Sequence, residues 1–146
     1  MQKLDIYKYQ SKRLNNLIYL FFEKASSGNE RMLIFCDNKK KLDFIDKLLW
    51  EYNPPSWVPH LMDSDKYAEH AKIILSTDTN KNLSDVVCII DSKITSFDIF
   101  KNFKHVAYFV PLNETEYSES IEILKSNIQN SNTYSQNSNG KWIKEE

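Results

Sequence analysis

A chain of 146 residues with a formal net charge of −1 and 41% hydrophobic residues has the size and balance of one globular domain. That balance excludes a protein whose whole surface binds nucleic acid, because displacing counterions from phosphates needs a broad excess of Lys and Arg; a local basic patch stays open. The opening MQKLDIYKYQ lacks an apolar signal core, and no window approaches about 20 apolar residues, so a cytoplasmic chain with no secretory leader and no membrane span is expected.

Strand-like and helix-like segments alternate along the chain. Leu4 to Tyr9 reads as a first strand. Leu14, Leu17, Ile18, Phe21, Phe22 and Ala25 then recur at the spacing of one helix face. Ser26-Ser27-Gly28-Asn29 stops that helix, with Gly28 expected in a left-handed C-terminal geometry. Arg31 to Cys36 is a second strand. Asn38 is placed to cap the next helix, whose stripe is Leu42, Ile45, Leu49 and Tyr52, and Asn53-Pro54-Pro55 ends it. Trp57 to His60 reads as extended and Met62 to His70 as polar loop.

Lys72 to Thr77 and Asp85 to Asp91 are further strands. Phe97 to Phe103 makes a short helix, His105 to Pro111 a strand buried on both faces, and Thr115 to about Ile128 a helix. Residues 1–129 form the domain, and the Asn- and Ser-rich residues 130–146 are expected to be a polar, flexible tail. The alternation implies an α/β fold, with a mostly parallel sheet and helices on both faces. The region from Pro54 to Ser84 breaks the pattern and leaves room for a hairpin or an antiparallel strand.

Such a sheet invites a nucleotide beyond the carboxyl ends of its strands, and a phosphate there needs glycines that let backbone N–H groups approach. Gly28 and Gly140 are the chain's glycines, and neither lies in a strand-to-helix turn. Asp37 and Asp91 each follow a strand, but Gln10-Ser11 and Pro111-Leu112 occupy the places where a phospho-acceptor site wants acids and a lysine. Both aspartates are therefore read as capping or terminating elements. His60, His70 and His105 share no ligand spacing, Cys36 and Cys88 read as buried strand residues, and no serine sits in a G-x-S-x-G turn. No catalytic residue, metal site or cofactor is assigned. Lys39-Lys40-Lys41 opens a helix against the macrodipole; it reads as a solvated face or as an attractor for an acidic partner.

The segment from Leu48 to His60 sets Trp50 and Trp57 on either side of a proline break. From pattern alone the two tryptophans are either core or a docking patch for a partner. Leu49-Trp50, then Trp57-Val58-Pro59-His60, then Val106-Ala107-Tyr108-Phe109-Val110-Pro111 and the late Trp142-Ile143-Lys144 together resemble the chi subunit of bacterial DNA polymerase III. Arg31 to Cys36 stands in place of that family's early apolar strand. The resemblance implies a Rossmann-like domain without a nucleotide site, acting as a non-catalytic accessory subunit. It implies binding to the clamp-loader complex and to the acidic, Phe-ended tail of single-stranded-DNA-binding protein, with DNA contacted only indirectly. It also implies a surface for a psi subunit or a helicase, carried by Trp50, Trp57, Val58, Pro59 and His60. For the tail it points to Val110, while the family's basic positions in the last helix fall here on Tyr117 and Ile121. The helix face bearing Tyr117, Ile121 and Leu124 is expected to supply apolar walls, with charge from Lys125, Lys101 or Lys104 instead. Two other readings stay open: a small enzyme with a degenerate nucleotide or phosphate site, and a direct binder of single-stranded nucleic acid.

Overall fold

The computed structural model describes residues 1–51, 60–66, 68, 71–79, 84–113 and 115–145. Strand β1 (Lys3–Tyr9) leads through a short 3-10 turn into helix α1 (Leu14–Ser26). Strand β2 (Met32–Phe35), helix α2 (Lys39–Glu51) and strands β3 (Leu61–Met62), β4 (Ile73–Ser76) and β5 (Val86–Ile90) follow. A 3-10 turn (Asp98–Phe100), strand β6 (His105–Pro111), helix α3 (Ser118–Asn127) and strands β7 (Asn130–Gln136) and β8 (Trp142–Lys144) complete the chain.

The strands form one eight-stranded sheet in the order β3-β4-β2-β5-β6-β1-β7-β8. Every pairing is parallel except β7 with β8. Because successive strand residues point to opposite faces, each apolar strand feeds two cores. Tyr9, Ile34, Cys36, Cys88 and Phe109 pack on one face under α1 and α2, which contribute Ile18, Phe22, Leu42, Ile45 and Leu49. Leu4, Ile6, Leu33, Ile89 and Tyr108 pack on the other under Phe100, Leu124 and Ile128. The result is the expected three-layer, Rossmann-like α/β domain. Both cysteines are free thiols buried in the first core.

Several expectations need correction. The polar segment read as a flexible tail is strand. β7 lies parallel to β1, with Lys3 opposite Asn130 and Tyr7 opposite Tyr134, and β8 turns back antiparallel onto it. A ladder is made by backbone groups, so an edge strand needs few apolar side chains; Thr133 and Gln136 are the buried residues of β7. The antiparallel pair thus sits at the end of the chain, whereas β3, in the region suspected of a hairpin, is parallel to β4. Gly28 is not left-handed. Positive φ occurs at Gly140, Asp91 and Asn113, and α1 ends instead in a tightened turn, with Gly28 N–H donating to the Ala25 carbonyl at 3.0 Å. The final helix starts at Ser118, after a turn over residues 115–117.

Candidate functional site

Adjacent strands β2 and β5 send their following segments to opposite faces, α2 to one and the Asp98–Phe100 turn to the other. In an open α/β sheet, ligands bind at such a switch point. Here the chain's own polar groups occupy it. The Asp37 backbone N–H donates to Ser92 Oγ at 2.8 Å, and Ser92 Oγ donates to the Ile90 carbonyl at 2.8 Å. One Asp37 carboxylate oxygen accepts the Lys93 backbone N–H at 3.0 Å, and the other pairs with Lys41 Nζ at 3.1 Å. Lys41 Nζ also donates to the Asp91 carbonyl at 2.5 Å. Tyr108 Oη donates to the Ser92 carbonyl at 2.6 Å, and Tyr117 Oη donates to the Asp91 carboxylate. Burial, with that bond to Asp91, pushes the Tyr117 hydroxyl above its ordinary pKa.

The Asp37 carboxylate thus takes the backbone N–H that an anionic ligand would otherwise accept, and Lys41 neutralises it. Cys36 lies beside this network. Burial and the neighbouring Asp37 push its thiol up to about 12, so it is not a thiolate nucleophile near neutral pH. As expected, Asn38 caps α2 through Oδ1 accepting from the Lys41 backbone N–H at 2.9 Å. At the second switch point, between β6 and β1, the Leu112 backbone N–H donates to the Tyr9 carbonyl at 2.7 Å. On the other side of β1, toward β7, Gln10 N–H donates to Gln136 Oε1 at 2.8 Å, and Gln10 Nε2 donates to the Gln136 carbonyl at 3.1 Å.

Of the aromatic pair, Trp50 stands on the last turn of α2 and is 46% exposed. Its ring lies 5.0 Å from that of His60, whose buried Nε2 is 2.8 Å from Asp46 Oδ1. Trp57, Val58, Pro59 and His70 lie outside the described residues. His105 Nε2 is 2.7 Å from the buried Asp5 carboxylate, tying β6 to β1. Both described histidines are therefore hydrogen-bonded, as the absence of ligand spacing led us to expect.

The set assigned to tail binding separates into two ends. Val110 and Tyr117 are buried at the carboxyl end of β6 and the start of α3. Lys101 and Lys104 are exposed just before β6 begins. Six residues of strand separate Lys104 from Val110, roughly 20 Å. Leu124 is fully buried, Ile121 half-buried and Lys125 exposed near the end of α3. α3 also exposes Glu119 and Glu122, and Lys104 Nζ pairs with Asp85 at 3.5 Å. Sequence reasoning missed the roles of Ser92, Tyr108 and Lys41. A serine after a strand and a tyrosine within one carry no signal until register brings them together.

Fold and crevice together define a Rossmann-like domain whose ligand crevice has its polar groups bonded to one another, through an ion pair and hydrogen bonds. The family model described as DNA polymerase III chi subunit, HolC, matches residues 1–122. The chain belongs to this family of accessory subunits of the replicative DNA polymerase III. A comparison with curated proteins finds no match. No described helix is long and apolar enough to cross a membrane.

Proposed function

We propose that this chain is a non-catalytic subunit that acts in the cytoplasm and links the clamp loader of the DNA polymerase III holoenzyme to single-stranded-DNA-binding protein. The observation that carries this reading is the switch-point crevice of a chi-family member, whose polar groups are bonded to one another. A domain that spends its nucleotide position on internal bonds is suited to holding partners rather than turning over a phosphate ester. Trp50, exposed at the end of α2, supports a docking surface for a psi subunit or a helicase, together with Trp57, Val58, Pro59 and His60. The tail of single-stranded-DNA-binding protein runs over the exposed face of α3, which covers β6. Its terminal Phe sits near Val110, Tyr117, Ile121 and Leu124, and its acidic residues reach Lys125, Lys101 and Lys104. The roughly 20 Å between the two ends is the reach of about six extended residues.

Exposed charges each contribute about 1 kcal/mol or less, so the affinity is modest, about micromolar. Calorimetric titration with the tail peptide, and with one lacking the terminal Phe, tests the proposal. Clear binding of the first and strong weakening of the second are expected. Equal binding of both, or no binding at low salt, contradicts it.

A further inference from the structure

A groove of about 310 Å³ runs between α1 and the β7–β8 hairpin, on the face of the sheet opposite α3. Its walls are Leu17, Leu20, Phe21 and Trp142, with Arg13 at one end and Lys24 at the other. Leu17, Leu20 and Lys24 fall at helical spacing and share one stripe of α1, and Arg13 stands just before its first turn. Leu20 is 52% exposed on that stripe, whereas the other apolar residues of α1 are buried or partly buried. Trp142 reaches the wall because β8 folds back on β7, and its ring meets Tyr7 edge-on at 5.4 Å.

The charge around the groove has one sign. Lys24 and the exposed Lys141 have no ion-pair partner among the described residues, and Lys12 adds a third cation beside Arg13. Glu23, the acid nearest in sequence to Lys24, is turned aside by accepting a bond from the Tyr19 hydroxyl. Arg13 donates Nη2 to the Ser138 carbonyl at 3.1 Å, while its Nε has no acceptor. The lysines Lys39 and Lys47 on α2, by contrast, are paired with Asp43 and Glu51.

We infer that this groove is a second partner surface, which takes an acidic peptide segment of another protein. Apolar side chains fill the floor between Leu17, Leu20, Phe21 and Trp142, and flanking carboxylates meet Arg13 and Lys24. Those two cations stand roughly 16 Å apart along the helix. The two-ended charge suits a peptide better than a nucleic acid, whose phosphates need a closely spaced row of cations. The inference goes beyond the proposed tail site, since the two sites lie on opposite faces and share no residue.

The test uses the full chain and a fluorescent peptide with a Phe-Leu-Phe centre flanked on both sides by Asp and Glu, read by anisotropy. Binding that weakens as salt rises is expected. Lys24→Glu and Leu20→Asp should each weaken it by about fivefold or more while melting like the parent, because both side chains are exposed. Lys125→Glu, on the opposite face, should leave it unchanged. Unaltered binding in the Lys24 and Leu20 variants overturns the inference, as does loss in the Lys125 variant or displacement of the peptide by a single-stranded oligonucleotide. The two sites fail separately: Lys24→Glu should leave binding of the Phe-ended tail peptide intact, and failure of that tail peptide to bind leaves the groove result standing.

Discussion

The crevice between β2 and β5 and the groove beside α1 are both concave and both lined by lysine and apolar side chains. They differ in what their polar groups do. In the crevice Lys41 is held by Asp37 and the Asp91 carbonyl, and Ser92 is bonded on two sides. In the groove Lys24 is exposed and has no ion-pair partner among the described residues. Buried polar groups that are satisfied hold a fold together, and exposed cations beside apolar walls invite a partner. The position where this fold ordinarily binds ligand has become structural, and the recognition surfaces proposed for it lie on the helices and the sheet edge.

If the crevice is structural, damage there must register as lost stability. Ser92→Ala removes the acceptor of the Asp37 N–H and the buried hydroxyl's bond to the Ile90 carbonyl, two hydrogen bonds whose loss together costs about 1–3 kcal/mol. For a domain of this size that is a fall in melting temperature of roughly 2–10 °C. An unchanged melting curve would show that the network is ornamental.

The groove should tolerate more, except where its backbone is committed. Gly140 has φ +85°, and a Cβ there would lie 2.7 Å from Arg13 Nη1. The arginine tip can move, so strain in the left-handed backbone dominates the expected cost of Gly140→Ala, about 1–2 kcal/mol. Denaturant titration measures it, and a neutral result would mean the β7–β8 turn is free to rearrange.

The smallest effect concerns the far end of the hairpin. A hydrogen bond from the Ser135 hydroxyl, with Lys8 nearby, holds the Glu145 carboxyl below its ordinary range. Its contribution is therefore present above the usual carboxylate range and is lost as pH falls through the lowered value. Protection factors of the β7 and β8 amides, which divide out the intrinsic slowing of exchange in acid, should fall on acidification, and Glu145→Gln should flatten that dependence. A loss of protection unaffected by the substitution would assign it to another group.

The same contrast explains what could be read from the sequence. The inner strands are legible because runs such as Val86–Ile90 are apolar on both faces, and α1 and α2 because Ile18 and Phe22, and Leu42 and Leu49, recur at helical spacing. The crevice was legible in the negative, from its missing glycines. The groove was not legible, because one wall belongs to a hairpin whose strand β7 reads NSNTYSQ, a composition that looks like a tail. Its strand character comes from pairing with β1, some 120 residues earlier in sequence, and no local pattern encodes that. The division of the residues proposed for the tail into two ends depends on the direction of β6, which the sequence does not show.

The proposed linkage is tested most directly by a bridging measurement. Single-stranded DNA coated with its binding protein is immobilised, and the purified clamp-loader complex is passed over it with and without this chain. Retention of the clamp loader only when the chain is present, abolished by binding protein lacking its terminal Phe, is the predicted result. Equal retention without the chain, or retention indifferent to the tail, would contradict the account.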